Sequence, residues 1–237
     1  MFCSSKVGSI IPSDPSTWKK KVFLTFDLDW AHEEVIEDTI DLISRSGVSS
    51  TWFVTHKSPI LDNLEKLKNA ELGIHPNFFH NQNSKSNLNS EDIIRELLDF
   101  LPNSKSVRSH SLFQSERLVD DFYNCGLSHI SNCFIPHGTG INVQPFSLWN
   151  GMIMVPHCWQ DNVALKMNLS FPENGDYEDS YQMFNFHPIH VFLNTENESR
   201  YESTRSYHQN PQRLIQERFD GFGTRSLLVN LLNRLEK

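Results

Sequence analysis

Short apolar runs rich in Val, Ile and Phe recur along the chain, and a stretch with helical spacing follows most of them. Continuous apolar runs of this length are typical of strands buried in a parallel sheet, whereas apolar residues three or four apart are typical of helices. Four helices are predicted, at residues 33–47, 59–70, 90–102 and 115–126. Seven strands are predicted, at residues 22–26, 50–54, 71–75, 105–110, 127–135, 151–157 and 182–187.

This alternation gives about seven β/α steps, and a parallel barrel is an economical way to bury them all. The chain has 237 residues, of which 38% are hydrophobic and 21% charged, so it can bury one sizeable core. We therefore expect an α/β fold in a single domain, residues 1–237. Its core spans about residues 20–195, and a helical segment follows at about 196–237, ending in an amphipathic helix that packs on the outside.

Charge and cysteine content narrow the possible partners and compartments. Lys and Arg number 21 against 29 Asp and Glu, a net charge of -8, and no Lys/Arg block is typical of nucleic-acid binding. The four cysteines form no CxxC pair, which favours reduced thiols in an intracellular protein. The N-terminal region has no signal-peptide pattern, and no run of about 18 apolar residues occurs. We expect a cytoplasmic protein without a transmembrane segment; the sequence predicts no oligomeric state.

Polar side chains that can react or bind a metal follow five of the seven predicted strands. In a β/α barrel the carboxyl ends of the strands share one mouth, where reacting groups gather. A single histidine at a strand end is more often a structural hydrogen-bonding group, but a set of five strand ends indicates a site. The residues concerned are Asp27 and Asp29 after the first strand, His75 after the third, Arg108 and His110 at the fourth, Asp161 after the sixth, and His187 and His190 at the seventh.

Carboxylates and imidazoles that meet at one mouth are the ligand set of a divalent ion such as zinc, held by three protein groups with one position open for water. A metal compensates for the cost of burying Asp29 at the end of an apolar strand. The neighbouring Asp27 is then placed to accept a proton from water. Arg108 can keep Asp27 ionised and oriented through a charge-assisted pair.

Five short motifs between Lys21 and His190 resemble those of the polysaccharide deacetylase family, the NodB-like carbohydrate esterases of family 4. In the first motif, one residue separates the two aspartates, a spacing that the family also shows. The resemblance implies a distorted (β/α)7 barrel and a metal-dependent hydrolase that removes an N-acyl group, most simply N-acetyl, from an amino sugar or a polysaccharide precursor. The motifs stand in the family's order: TFDLDWA, ELGIHPNF, VRSHS, VPHCWQDN and FNFHPIH.

The same resemblance implies a role for each matching residue. Asp27 is the catalytic base and Asp29 a metal ligand. Arg108 steers the base and Asp161 supports the catalytic pair. His187 protonates the leaving amine.

The second motif departs from the family's pattern of two metal-binding histidines four residues apart. His75 matches the first, but Phe79 stands at the second position and His80 comes one residue too late. We favour His110 over His80 as the third ligand, because His110 ends a strand and lies two residues beyond the arginine, on the same face. His80 lies in a polar loop. The expected ligands of one divalent ion, Zn²⁺ in the first instance, are Asp29, His75 and His110.

The third motif also lacks the proline and aromatic residue that usually follow the arginine, and this change is similar to the WbmS-like subgroup, which is associated with surface-polysaccharide biosynthesis. Four residues are candidates for substrate binding, each with a structural alternative. Trp30 stacks on a sugar or caps the barrel, and His137 binds substrate or stabilises a glycine-rich turn. Trp159 lines the pocket or packs inside, and His190 binds substrate or supports His187.

Three other functions are compatible with these residues. A deformylase acting on a lipid-linked formamido sugar uses the same groups and differs in the acid that it releases. A hydrolase of a small cyclic amide is inactive on N-acetylated sugars. A catalytically inactive carbohydrate-binding protein is the alternative from another class; the complete set of base, arginine, aspartate and acid favours an enzyme.

Overall fold

The strands of the computed structural model, which describes residues 3–79, 89–137, 139–169 and 181–235, form one sheet. The longer strands are almost entirely buried, as expected for a parallel sheet covered by helices. Within the described residues the strands are β1 Cys3–Ser4, β2 Lys21–Asp27, β3 Ser50–Val54, β4 Ala70–Ile74, β5 Ser106–Val107, β6 His129–Ile130, β7 Phe146–Ser147, β8 Ile153–Met154, β9 Trp159–Gln160 and β10 Gln182–Phe186.

The strand order is β7-β8-β6-β5-β4-β3-β2-β10-β9, and β1 adds to β2. Every pair is parallel except β7 with β8. Strands β8 and β9 are successive pieces of one stretch of chain, in which His157 also bridges to Phe134 beside β6. This stretch pairs with β6 at one end and with β10 at the other, so it connects the two sides of the curled sheet. The α/β class and the distorted (β/α)7 barrel are confirmed.

The described α-helices cover the outside of this sheet. The first, α1, begins after His32, whose ring accepts the N–H of Glu34, and ends at Gly47 in the left-handed region at φ 65°. Its apolar residues face the core. The helices are α1 Glu33–Ser46, α2 Leu61–Lys66, α3 Ser90–Phe100, α4 Glu116–Asn124, α5 Asp161–Lys166, α6 Pro188–Leu193, α7 Glu198–Thr204, α8 Pro211–Leu214 and α9 Thr224–Leu235.

Boundaries differ from the sequence prediction mainly in the second half of the barrel. The strands predicted at 105–110, 127–135 and 151–157 contain only two residues each, and β1, β7 and β9 were not predicted. The prediction that His190 closes the last strand was wrong. Pro188 occupies the first turn of a helix, where its missing N–H costs nothing, and His190 therefore lies on α6.

The C-terminal helix α9 packs into the main core rather than only covering it. Leu227, Leu228, Leu231 and Leu232 are buried in the same apolar cluster as the strands. Their spacing places them on one face of the helix. Within the described residues, no helix combines the length and apolar character needed to cross a bilayer.

Candidate active site

The polar residues predicted from the strand ends meet at one edge of the sheet. Asp27 is the last residue of β2, and His75 and Arg108 directly follow β4 and β5. Asp161 begins α5 directly after β9, and His187 directly follows β10. Since these strands are parallel, their carboxyl ends face the same mouth.

Arg108 is fully buried and holds Asp27 in a fixed orientation. Its Nη1 lies 2.8 Å from Oδ1 of Asp27 and also donates to Thr25 and Asn185, at 2.9 and 2.5 Å. Its Nε and Nη2 donate to the carbonyl and hydroxyl oxygens of Ser131. The amide of Asn185 donates to the other oxygen of Asp27 at 2.8 Å. Both oxygens of Asp27 thus accept a hydrogen bond.

These contacts keep Asp27 ionised. Burial alone would raise the pKa of the Asp27 carboxyl, but the positive charge of Arg108, followed by those of His75 and His187, outweighs burial and lowers it. An ionised carboxylate in this position can accept a proton.

Two histidines converge on one oxygen of Asp29. Nε2 of His75 lies 3.2 Å and Nδ1 of His110 3.1 Å from Oδ1 of Asp29. Asp29 has a positive φ of 46°, which is uncommon for non-glycine residues, and the Thr55 hydroxyl donates to its carbonyl oxygen. Burial raises the pKa of Asp29, but the contacts with His110 and His75 outweigh it, so the pKa lies far below its usual range.

Asp29, His75 and His110 could hold a metal ion, because one ligand atom from each lies within 4.8 Å of the others. Nδ1 of His75 lies 2.6 Å from the carbonyl oxygen of Arg108, which can only accept, so Nδ1 carries the proton. In the neutral ring, Nε2 then presents a lone pair to a carboxylate oxygen, which is unfavourable unless a cation or a proton lies between them. One carboxylate and two imidazoles are ligands that suit a zinc-like ion, and the hydrogen bond from Nδ1 of His75 to the Arg108 carbonyl would orient that ring toward it. His80 lies outside the described residues.

His187 is paired with a buried carboxylate and points at both aspartates. Its Nδ1 lies 2.5 Å from Oδ1 of Asp161, and its backbone N–H donates to Oδ2 at 2.6 Å. Its Nε2 lies 3.8 Å from Oδ2 of Asp27 and 3.8 Å from Oδ2 of Asp29. Burial lowers the pKa of His187, but the charge and hydrogen bond of Asp161 outweigh it and raise the pKa to about 10. A protonated imidazole therefore faces an ionised carboxylate.

The four candidates for substrate binding are placed differently. Trp30 is 45% exposed and its ring meets that of His110 edge to face, with centroids 5.1 Å apart. His190 lines a cleft of about 320 Å³ together with Asp29 and His187. Trp159 and His137 instead line a neighbouring, mainly apolar pocket of about 540 Å³, whose lining includes neither Asp29 nor His187.

Several residues of this network were not identified from the sequence. Thr25, Ser131 and Asn185 bind Arg108, and Thr55 binds the backbone of Asp29. One signal was available: Asn185 is a polar residue inside an apolar strand, two positions before His187, so both face the same side. The partner of Asn185 is 158 residues away in the chain and could not be deduced.

Comparisons with known proteins identify a family and a similar solved structure. A family model described as WbmS-like polysaccharide deacetylase matches residues 24–205. Among solved structures, WbmS of Bordetella bronchiseptica, a proposed polysaccharide deacetylase involved in O-antigen biosynthesis, is similar with 38% identity and a TM-score of 0.92, over 98% of this chain and 97% of that chain. The search of curated proteins finds no match.

Two more distant structures are similar to parts of the chain. A 4-alpha-glucanotransferase from Thermococcus litoralis has 11% identity and a TM-score of 0.49, covering 88% of this chain and 38% of that chain. A CE4 esterase from Streptococcus mutans has 17% identity and a TM-score of 0.40, covering 85% of this chain and 84% of that chain.

The family model spans most of the chain, and the matched range, residues 24–205, contains the clustered residues. The match to WbmS extends over nearly the full length of both chains. Deacetylation is a hydrolytic reaction, so family membership also indicates a hydrolase. This chain belongs to the WbmS-like polysaccharide deacetylase family.

Proposed function

We propose that the protein removes an N-acyl group, most simply acetyl, from an amino sugar in the synthesis of a surface polysaccharide, and that it needs a divalent metal ion. One observation carries the proposal: Oδ2 of Asp27 and Nε2 of His187 lie 3.8 Å apart beside the Asp29 cluster, where the carboxyl has a lowered pKa and the imidazole a raised one. Amide hydrolysis needs a base for the attacking water and an acid for the leaving amine. The relation to WbmS supports the substrate class.

Asp29, His75 and His110 are the proposed ligands of the metal, and zinc suits one carboxylate and two imidazoles. When bound, such an ion lowers the pKa of a water molecule and polarises the carbonyl of the acyl group. The residues fit it because the lone pair of His75 and the ring of His110 are directed at one carboxylate oxygen.

Asp27 takes the proton of the attacking water in this mechanism. Arg108 and Asn185 hold its two oxygens, so the carboxylate is already oriented when the water is deprotonated. The oxygen of the water forms a bond to the carbonyl carbon, and the electron pair of the carbonyl moves to its oxygen.

The backbone N–H of Ser111 is our candidate for stabilising that oxygen. Of residues 109–112, three donate their N–H to a protein acceptor, and the described contacts leave only Ser111 without one. Ser111 and Leu112 have φ values of 56° and 55°, so this turn holds two residues in the left-handed region. Strained backbone of this kind is often found at active sites, where it fixes the orientation of a functional group.

His187 donates its Nε2 proton to the nitrogen as the C–N bond breaks. Its Nδ1–H is held by Asp161, which fixes the tautomer and the ring orientation, so Nε2 is the atom that exchanges protons with the substrate. The products are a free amine and the carboxylic acid; the proton on Asp27 returns to solvent, and His187 takes up a proton from solvent.

Acid release from a panel of N-acylated amino sugars tests the proposal. The protein is incubated with added Zn²⁺, and acetate and formate are measured by enzyme-coupled assays, beside the matched variant Asp27→Asn. We expect acetate from the wild type and a loss of at least 100-fold in Asp27→Asn, the usual range for removing a general base. Formate in place of acetate would identify a deformylase, and equal activity of the variant would exclude Asp27 as the base.

A further inference from the structure

A cleft of about 320 Å³ between α5 and α7 opens beside the active site, and its lining includes Asp29 and His187. Small-molecule sites usually measure about 300–1,000 Å³, so this cleft is at the small end and suits a single ring. Its other polar side chains come from α5, α6 and α7 and have no part in the mechanism above: Asn162, Lys166, His190, Glu198, Tyr201 and Glu202.

His190 presents a hydrogen-bond acceptor to this cleft. The hydroxyl of Thr195 donates to the carbonyl oxygen of His190 at 3.1 Å, so it must accept from Nδ1–H of His190 at 2.9 Å. Burial lowers the pKa of His190 to about 4, and the ring is therefore neutral at pH 7. Nε2 keeps its lone pair, and the described contacts give it no donor although the side chain is only 4% exposed.

Tyr201 stands next to this acceptor on an anchored helix. Its ring packs between His190 and His208, with centroids 4.7 and 4.8 Å apart. The ion pair of Arg200 with Glu196, at 2.6 Å, ties the first turn of α7 to the chain before it. Tyr201 and Glu202 lie three and four residues after Glu198, about one helical turn away, and all three line the cleft.

The lining is therefore rich in acceptors. Nε2 of His190 and the carboxylates of Glu198 and Glu202 can only accept, although Glu202 also pairs with Arg205 at 3.3 Å. The Tyr201 hydroxyl and the Asn162 amide can do both, and Lys166 is the one lysine or arginine in the described lining. A ligand with many hydroxyl donors satisfies these groups. A diphosphate brings negative charge and further acceptors, and the carboxylates of the cleft lining repel it.

We propose that the cleft between α5 and α7 binds the sugar ring next to the scissile amide, through hydroxyl groups that donate to Nε2 of His190 and pair with Tyr201, and that it selects neutral sugars over sugar diphosphates. The inference rests on the proposed function and extends it to the substrate class. Tyr201 and His190 are thus substrate-contacting residues supplied after the last strand of the barrel.

Calorimetric binding to Asp27→Asn protein with added Zn²⁺ tests the inference without turnover. The probes are N-acetylglucosamine, N-acetylgalactosamine and N-acetylmannosamine, and the UDP-linked form of each. We expect a neutral sugar to bind more tightly than its UDP-linked form. Adding Tyr201→Phe, which keeps the packed ring, should weaken that sugar about 3- to 10-fold, the effect of one lost hydrogen bond. The matched control is Tyr207→Phe, since Tyr207 packs on Arg213 and is not part of the lining.

A second variant addresses charge. Glu198→Gln with Glu202→Gln should raise the affinity for the UDP-linked sugar relative to the neutral one. Three results would overturn the inference. The first is unchanged affinity for the sugar in both Tyr201→Phe and His190→Phe. The others are tighter binding of UDP-linked than of neutral sugars when Glu198 and Glu202 are intact, and no binding of any neutral sugar. Acid release is measured separately. If the wild type and Tyr201→Phe release acid equally well, the cleft inference is wrong and the proposed reaction stands. If sugar binding depends on Tyr201 but the wild type releases no acid, the proposed reaction is wrong and the cleft inference stands.

Discussion

Asp27 is a carboxylate placed where an apolar strand ends, and its burial is costly unless a partner compensates. Arg108 supplies the compensation with a 2.8 Å ion pair, and it is itself satisfied by Thr25, Asn185 and Ser131. Buried ion pairs seldom add net stability over apolar residues of the same shape, whereas breaking one leaves an uncompensated charge. The pair is therefore better explained by the protonation state that it imposes on Asp27 than by stability.

Replacing Arg108 by Met should lower the free energy of unfolding by about 3–5 kcal/mol, because Asp27 then remains buried without its partner. Urea denaturation measures the change. Adding Asp27→Asn should restore part of the loss by removing the charge. Arg95→Met is the control: its pair with Glu91 at 3.4 Å is exposed, and exposed pairs contribute about 0–1 kcal/mol. If the double variant is no more stable than Arg108→Met, the buried charge is not the cause.

The third metal ligand can be tested by metal content. Elemental mass spectrometry of protein purified without chelator should find about one zinc per chain in the wild type, the occupancy of a single three-ligand site. His110→Ala should lose most of it, because the His110 ring lies 3.1 Å from the Asp29 carboxylate. His80→Ala, in the second histidine that the sequence offers, should keep it. Loss with His80 and retention without His110 would reverse the assignment.

At the scale of elements, the alternation of strands and helices and the position of the candidate residues at strand ends could be predicted, because both follow from a short local pattern. The strand Ser50–Val54 was predicted with its observed bounds, and Asp27 and His187 lie at the ends of clear apolar runs. The bounds of the short strands β5, β6 and β8 could not be predicted. After β5, for example, the N–H of Ser109 donates to the side chain of Asn132 rather than to a neighbouring strand. Such a choice depends on residues that are distant in the chain.

The close approach of β4 and β5 provides a prediction at this scale. A Cβ on Gly73 would lie 2.8 Å from the carbonyl oxygen of Ser106 and 2.9 Å from the ring of Phe53. Gly73→Ala should therefore push β5 away from β4, at a cost of about 1–3 kcal/mol in unfolding free energy. The bond between His75 and the Arg108 carbonyl joins the ends of the same two strands, so zinc content should fall as well.

Gly47→Ala is the control for Gly73→Ala. Nothing lies within 4 Å of a Cβ at Gly47, but its φ of 65° is strained for alanine by about 1–2 kcal/mol. Both variants should lose stability in urea denaturation, and only Gly73→Ala should lose zinc. Equal zinc content in the two variants would show that β4 and β5 can separate without moving His75.

At the scale of the molecule, the segment after the barrel contributes to both the core and the cleft. The sequence predicted its last helix as an external cover, but four leucines of α9 are buried in the main core and Tyr201 of α7 lines the cleft. The amphipathic pattern revealed that α9 has an apolar face but not what that face meets. A single domain over residues 1–237 remains a prediction.

The buried histidines predict how the stability of the whole protein depends on pH. Burial lowers the pKa of His157 from 6.5 to about 3, and that of His190 from 6.5 to about 4. As pH falls below 6.5, the unfolded chain takes up protons that the folded chain refuses, so stability decreases by up to about 1.4 kcal/mol per pH unit for each group. His187 has the opposite sign: its pKa is raised from 6.5 to about 10, and its contribution is lost as pH rises through that interval.

Metal-free protein, prepared with a chelator, should therefore be most stable near pH 6.5, in urea denaturation repeated from pH 4.5 to 9.5. His157→Phe, whose ring can still pack on Phe134, should reduce the slope of the unfolding free energy against pH on the acid side, by about 1.4 kcal/mol per pH unit for the one proton concerned. Asp161→Asn removes the main cause of the raised pKa of His187 and should flatten the alkaline side. His56→Gln, which replaces an exposed histidine, is the control variant. An acid side that is equally steep with and without His157 would show that this buried ring is protonated in the folded protein, and the lowered pKa would have to be abandoned.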